Sequence, residues 1–224
     1  LTHEHERGTC LTGLVRELKE SWHLFDADER REMTAKLAPM KADLLDPLLP
    51  ASSAATAPAG LTPPGSCWGD QKDNTILTEH FSVQWDDGII SSSQAEAFAE
   101  SLEYSYEVEV DELGWREPEG LPTYQILVMV EGGGGAGAYT TVDSCGGRYM
   151  PYIVAYSGSF SAGSWYKTMA CHELHHAIQF GYGYAHEFWY WEASATWVED
   201  HVYPDLNDWS NAIYVYSLVP YMGM

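Results

Sequence analysis

Apolar residues recur at three- and four-residue intervals in some stretches of this chain and alternate in twos in others, and the switches mark out its elements. Leu11, Leu14, Val15, Leu18 and Trp22 share one face of an amphipathic helix. Asp26 with Glu29 reads as a capping box opening a second helix as far as Leu37, and residues 39–48 suit a third short one. From residue 50 to about 66 the composition (Pro-Ala-Ser-Ser-Ala-Ala-Thr-Ala-Pro-Ala-Gly-Leu-Thr-Pro-Pro-Gly) is that of a linker. From Thr75 the pattern changes. Phe81, Val83 and Trp85 alternate with Ser82 and Gln84, predicting a strand with one buried face. Ser93-Gln94-Ala95-Glu96 reads as a capping box before a helix that runs to Leu113, stops at Gly114 and buries Phe98, Leu102 and Tyr106. Residues 124–130 are almost continuously apolar, as in a strand covered on both faces. Residues 136–141 and 149–156 complete a sheet. Residues 164–180 predict a helix with Ser164 as N-cap and Gly181 at its stop, and residues 188–201 predict another. The expected class is α+β: a helical N-terminal region, residues 1–66, then a core at 67–224 with a mixed, mainly antiparallel sheet and two late helices.

The first of those late helices carries chemistry. Residues 172–176 read His-Glu-Leu-His-His, an H-E-x-x-H pattern. On a helix His172 and His176 lie one turn apart and about 40° around the axis, so both imidazoles reach one cation. Glu173 points to a neighbouring face, where it handles a water proton without occupying a ligand position. The flanks Met169, Ala170, Leu174, Ala177, Ile178 and Phe180 are apolar, as a buried helix needs. His175, about 60° further round, suits packing or hydrogen bonding.

A catalytic zinc takes three protein ligands and leaves a fourth position open. Glu192, sixteen positions after His176 and early in the second helix, is the preferred third ligand; His186 and Glu187 in the connecting loop are the alternatives. Ala193, Ser194 and Ala195 are small enough for close helix approach. Glu199, seven residues beyond Glu192, shares its face and suits a hydrogen bond to the far nitrogen of a ligand imidazole.

These stretches, His172-Glu-Leu-His-His-Ala-Ile-Gln-Phe-Gly and Trp191-Glu-Ala-Ser-Ala-Thr-Trp-Val-Glu-Asp-His-Val-Tyr-Pro-Asp-Leu-Asn-Asp208, resemble a family of secreted bacterial metalloproteases of myxobacterial type. At superfamily level the pattern is similar to the gluzincins. The resemblance is dense from Thr168 to Asp208 and looser over residues 75–160. It implies a zincin-like core, zinc on His172, His176 and Glu192, and Glu173 as general base. Two departures stand out: Ala193 where relatives often have glycine, and a short span from His176 to Glu192.

Bulk properties narrow the partners. A formal net charge of −22 over 224 residues argues against nucleic acid or an anionic membrane surface. No apolar run reaches membrane-spanning length. No basic-then-apolar leader opens the sequence, so the expectation is a secreted protein whose signal has been removed. Four cysteines allow two disulfides, and their grouping favours Cys10–Cys67 and Cys145–Cys171.

Helices, a linker and then a protease-like core is the layout of a zymogen, so residues 1–66 are expected either to cover the cleft or to complete the fold. Cys10 is a candidate inhibitory thiolate on the zinc. The Gly132–Gly135 run lacks the Gly-Lys-Ser/Thr of a phosphate loop and reads as a loop before an edge strand. Ala136, Gly137, Ala138 and Tyr139 on that strand are the expected main-chain partners of an extended polypeptide substrate. The expected reaction is endopeptidase hydrolysis, with Tyr214, Tyr216, Tyr139 and His201 as candidate donors to the developing oxyanion. The rivals are an aminopeptidase-type exopeptidase and an inactive metal-stabilised binding module. Glu199, Asp200, Asp205, Asn207 and Asp208 gather hard oxygens that suit calcium, but ordinary surface solvation is the preferred reading of them. Because further helices usually follow the glutamate helix in gluzincins, the chain is also read as a piece of a longer protein.

Overall fold

The computed structural model describes residues 9–10 and 65–207, except 122, 134, 162 and 184–187. The predicted helices of residues 11–48, most of the linker, His186, Glu187, Tyr214, Tyr216 and Asp208 lie outside the described residues. Strands β1 (Thr9–Cys10), β2 (Asn74–Leu77), β3 (Phe81–Trp85), β4 (Ile126–Glu131), β5 (Gly137–Cys145) and β6 (Arg148–Tyr156) accompany three α-helices, α1 (Ser92–Tyr106), α2 (Trp165–Tyr182) and α3 (Phe188–Val202). The protein is α+β. Five main strands form a mixed sheet with β1 at one edge, in the order β1-β5-β6-β4-β3-β2.

The expectation of a mainly antiparallel sheet is corrected. The central strands β3, β4 and β6 are mutually parallel, and only β2/β3 and β5/β6 are antiparallel. Strand β3 returns as β4 through helix α1, and a helical crossover produces a parallel pair. The β5–β6 pair closes instead through Gly146 and Gly147, with φ of 59° and 85°, between the paired residues Cys145 and Arg148. Positive φ at both central residues is what a two-residue turn matching the strand twist demands. That hairpin leaves β5 outside β6 with its outer edge turned to β1.

Strand β3 is buried on both faces, not one: Ser82 and Gln84 are as inaccessible as Phe81 and Val83. Its polar face is satisfied from within. Gln84 Nε2 donates to the Gly69 carbonyl and to Ser82 Oγ, while its Oε1 accepts from the Gln71 N–H. The 124–130 expectation fits β4, buried along nearly all its length between β3 and β6.

Helix α1 starts two residues earlier than expected. Ser91, not Ser93, is the N-cap: its hydroxyl accepts from the Gln94 N–H while Gln94 Oε1 accepts from the Ser91 N–H. Phe98, Leu102 and Tyr106 are buried as the spacing requires. The last turns widen into a π-helical segment, Glu107–Glu112, before Gly114 turns the chain at φ 76°. Glu109, seven residues after Leu102 and so on the apolar face, is fully buried there.

Helix α2 is inaccessible from Thr168 to Gln179 because it packs against α1, α3 and the β5–β6 side of the sheet. Ser164 is its N-cap position but its hydroxyl makes no cap bond. Gly181 lies inside the helix, and the stop falls at Gly183 with φ 108°. One core fills the space between the helices and the sheet face carrying Val83, Val128, Ala138 and Ile153. A second apolar layer, Leu127, Met129, Tyr139, Tyr152, Val154 and Tyr156 with Trp68 against it, covers the opposite face.

Candidate metal centre

Trp191, Ala195, Val198 and Val202 recur at three- and four-residue spacing and are the buried stripe that seats α3. Glu192 and Glu199, two turns apart, ride beside that stripe. Gln179 bonds Ser194 while His172, earlier in α2, bonds the later Glu199, so the two helices run antiparallel.

This packing brings His172, His176 and Glu192 together, with one ligand atom of each within 4.8 Å of the others. The two Nε2 atoms lie 3.0 Å apart. Glu192 Oε2 is 3.2 Å from His172 Nε2, and Oε1 is 3.5 Å from His176 Nε2. A zinc ion at about 2.0–2.1 Å from each of its tetrahedral ligands would set neighbouring ligand atoms about 3.3 Å apart. The three measured separations bracket that value, so the residues fit the ion.

The outer nitrogens fix the rings. His172 Nδ1 is hydrogen-bonded to Glu199 Oε1, and His176 Nδ1 lies 2.7 Å from Gln179 Oε1. The Gln179 amide is oriented in turn: its Nε2 donates to the Trp191 carbonyl at 3.2 Å and to Ser194 Oγ at 2.8 Å. Gln179 Oε1 is therefore the acceptor, His176 carries its proton on Nδ1, and its Nε2 lone pair faces the centre. The carboxylate of Glu199 sets the same tautomer on His172. Lone pairs and a carboxylate crowd this closely only around something positive, a shared proton or a cation. Burial alone would raise the pKa of Glu192, but its hydrogen bonds with His172 and His176 outweigh that and hold the carboxyl well below the ordinary range. Trp191, nearly inaccessible, stacks on His176 with ring centroids 6.0 Å apart and closes the apolar side. Replacing Glu199 by alanine is expected to weaken binding of a metal ion added to this cluster about 10–100-fold, the usual cost of losing the partner of a ligand imidazole. Competition with a chromophoric chelator measures this.

Glu173, 1 % exposed, is held from the sheet: Thr140 Oγ1 lies 2.7 Å from its Oε2 and 2.8 Å from its carbonyl. Thr140, on β5, directly follows the Ala136–Tyr139 stretch that the sequence singled out, but its link to Glu173 was not legible there.

Several other expectations are corrected. Tyr139 cannot donate to an oxyanion at this centre. Side chains alternate along β5, so Ala138 and Thr140 face α2 while Tyr139 is buried in the layer on the opposite face. His201 lies nine residues after Glu192, about half a turn round the helix from it; it is exposed and stacks on Trp197. The disulfide joins Cys67 to Cys145, their Cα atoms 6.2 Å apart, and Cys171 is a buried free thiol. Cys145 ends β5 at the hairpin, whereas Cys171 packs with Val108, Val198 and Val202 between the helices. Of the residues considered for calcium, Glu199 turns to His172 and Asp205 is exposed beyond α3, while Asp208 lies outside the described residues.

One polar cluster was not anticipated. His175 Nδ1 lies 2.9 Å from Glu109 Oε2, and the His175 ring meets Trp115 edge-on at 5.1 Å. Burial, the largest cause, pushes His175 down to about 3, and any positive charge at His176 or His172 acts in the same direction, so it stays neutral. Burial likewise raises Glu109 well above the carboxylate range, against the pull of the Cys171 thiol and of His172 and His176. The pair fastens α2 to the π-helical end of α1. A glutamate on an otherwise apolar helix stripe is the signal that would have exposed it.

No family model, curated protein or solved structure matches this chain. Among the described residues no helix is long and apolar enough to cross a membrane.

Proposed function

We propose that this chain is a zinc-dependent endopeptidase with a zincin-like core of gluzincin type, acting on polypeptides outside the cell. The observation that carries the reading is the convergence of two imidazoles from one turn of α2 with a carboxylate from α3, next to a buried glutamate. Bound there, zinc would supply the Lewis acidity that polarises a scissile carbonyl and acidifies water. Glu173 takes the proton of the attacking water and returns it to the leaving amine, a role that needs a carboxylate held in place. Thr140 provides that hold from the edge strand. A binding module would need the three ligands but has no use for a positioned Glu173. The β5 segment Gly137–Tyr139 has no acidic side chain to anchor a free α-amine, which favours internal bonds over amino-terminal ones. The Cys67–Cys145 disulfide suits an oxidising compartment and supports secretion.

Elemental analysis of the purified chain, with hydrolysis of denatured casein, of an amino-blocked internal peptide and of a free dipeptide amide, tests this. About one zinc ion per chain, cleavage of the blocked peptide and loss of cleavage with a chelator are expected. Zinc without hydrolysis of any substrate would favour the binding module, and faster turnover of the dipeptide amide an exopeptidase.

A further inference from the structure

Strand β1 lies where the sequence led us to expect substrate. Thr9 pairs with Gly137 and Cys10 with Ala138, in parallel, on the outer edge of β5. The N–H of Gly137 donates to Ser159 Oγ and the same hydroxyl donates to the Gly137 carbonyl, each at 3.0 Å. Ser159 lies in the 3-10 turn Ser157–Ser161 that continues from β6, so the main-chain groups of Gly137 turn inward. Alternation along the strand turns those of Ala138 outward, to the side where β1 runs. Two residues on, about 7 Å along the strand, Thr140 grips the carboxylate of Glu173. An extended chain paired at Ala138 therefore arrives beside the proposed general base, which neighbours His172 in the chain.

An edge accepts only one added strand, because each outward N–H and C=O is used once. We propose that Thr9–Cys10 is an intramolecular pseudo-substrate strand: by main-chain pairing at Gly137–Ala138 it denies the β5 edge to extended polypeptide and holds the enzyme silent until it is displaced. The inference rests on the peptidase reading and names how that site is regulated. Pairing over two residues is weak by itself. Tethering in the same chain raises its effective concentration above that of the same segment free in solution, which favours it over an untethered substrate. A cut anywhere between residues 10 and 65 ends the tether and makes the contact bimolecular.

The test uses the full chain carrying Thr9→Pro and Cys10→Pro together, since proline donates no main-chain hydrogen bond and fits a strand poorly. Three quantities are read: zinc content, hydrolysis of the amino-blocked peptide, and hydrogen exchange at the Ala138 amide. The expected result is unchanged zinc, faster exchange at Ala138 and hydrolysis raised about tenfold, as loss of one or two hydrogen bonds implies. A synthetic peptide of residues 3–14, added in trans in large molar excess over the substrate, then lowers the gain in a concentration-dependent way. Unchanged exchange overturns the pairing, and faster exchange with unchanged hydrolysis overturns the inhibition. If neither chain binds zinc, the metal centre and the inhibition fall together, while the exchange at Ala138 still reports whether β1 holds β5. Thr9→Gly with Cys10→Gly, which loosens the strand but keeps its donors, is expected to shift the same readouts less and serves where the prolines disturb folding.

Discussion

Replacing Glu173 by glutamine is expected to leave about one zinc ion bound per chain and to slow peptide hydrolysis by about 10²–10⁴-fold, the span that positioned general bases contribute. The separation of these effects follows from the geometry. The proposed ligand atoms belong to His172, His176 and Glu192, while Glu173 is held on the sheet side by Thr140 and takes no part in that triangle. Glutamine keeps the size of the side chain and can still accept from the Thr140 hydroxyl, so α2 keeps its seat. What it lacks is basicity: an amide does not take a proton from water near neutral pH. The measurement is kcat on the blocked peptide beside elemental analysis of the same preparation. Hydrolysis surviving at wild-type rate would remove Glu173 from the reaction, and loss of zinc would mean that Glu173 belongs to the ligand set.

His176→Ala is expected to act one step earlier, removing both the ion and the activity. His176 is fully buried, its Nδ1 held by Gln179 and its Nε2 aimed at His172 and Glu192. Losing it leaves two ligands, and the loss of affinity should exceed the roughly 10–100-fold that follows from removing a ligand's hydrogen-bond partner. Thermal unfolding gives a second readout. A protein that binds zinc in its folded state gains about 2.7 kcal/mol when zinc stands at a hundredfold excess over its Kd. Wild type should show that gain and His176→Ala should not. Persistent stabilisation by zinc in the variant would place the ion elsewhere on the chain.

The two effects differ because the metal site depends on three side chains at once, whereas the proton transfer depends on one. They also diagnose different failures. A protein that binds zinc but whose rate is indifferent to Glu173→Gln is a metal-stabilised scaffold; one that hydrolyses peptide without needing His176 is an enzyme with another centre.

Local spacing made much of this molecule readable. The helix bearing His172 and His176, the strand of residues 124–130 and the buried stripe of α1 are set by repeats shorter than a few turns, and such repeats act within one element. Glu192 and Glu199 were also legible, since seven residues restore the same helix face whatever lies opposite. What depends on the partner element was not legible. Tyr139 and Thr140 are adjacent on β5, and only the seating of α2 against one face of the sheet decides that Thr140 meets Glu173 while Tyr139 points away. Gln179 as the orienting partner of His176, Glu109 beneath His175, the Cys67–Cys145 bridge and the parallel centre of the sheet all join residues distant in sequence or settled by packing. The sequence by itself determined which side chains share the helix faces that meet at the metal-competent cluster, because helical periodicity places them. The tertiary structure alone decided what orients them and what lies on the β5 edge, because sheet register and helix packing are properties of pairs of elements and are written in neither one alone.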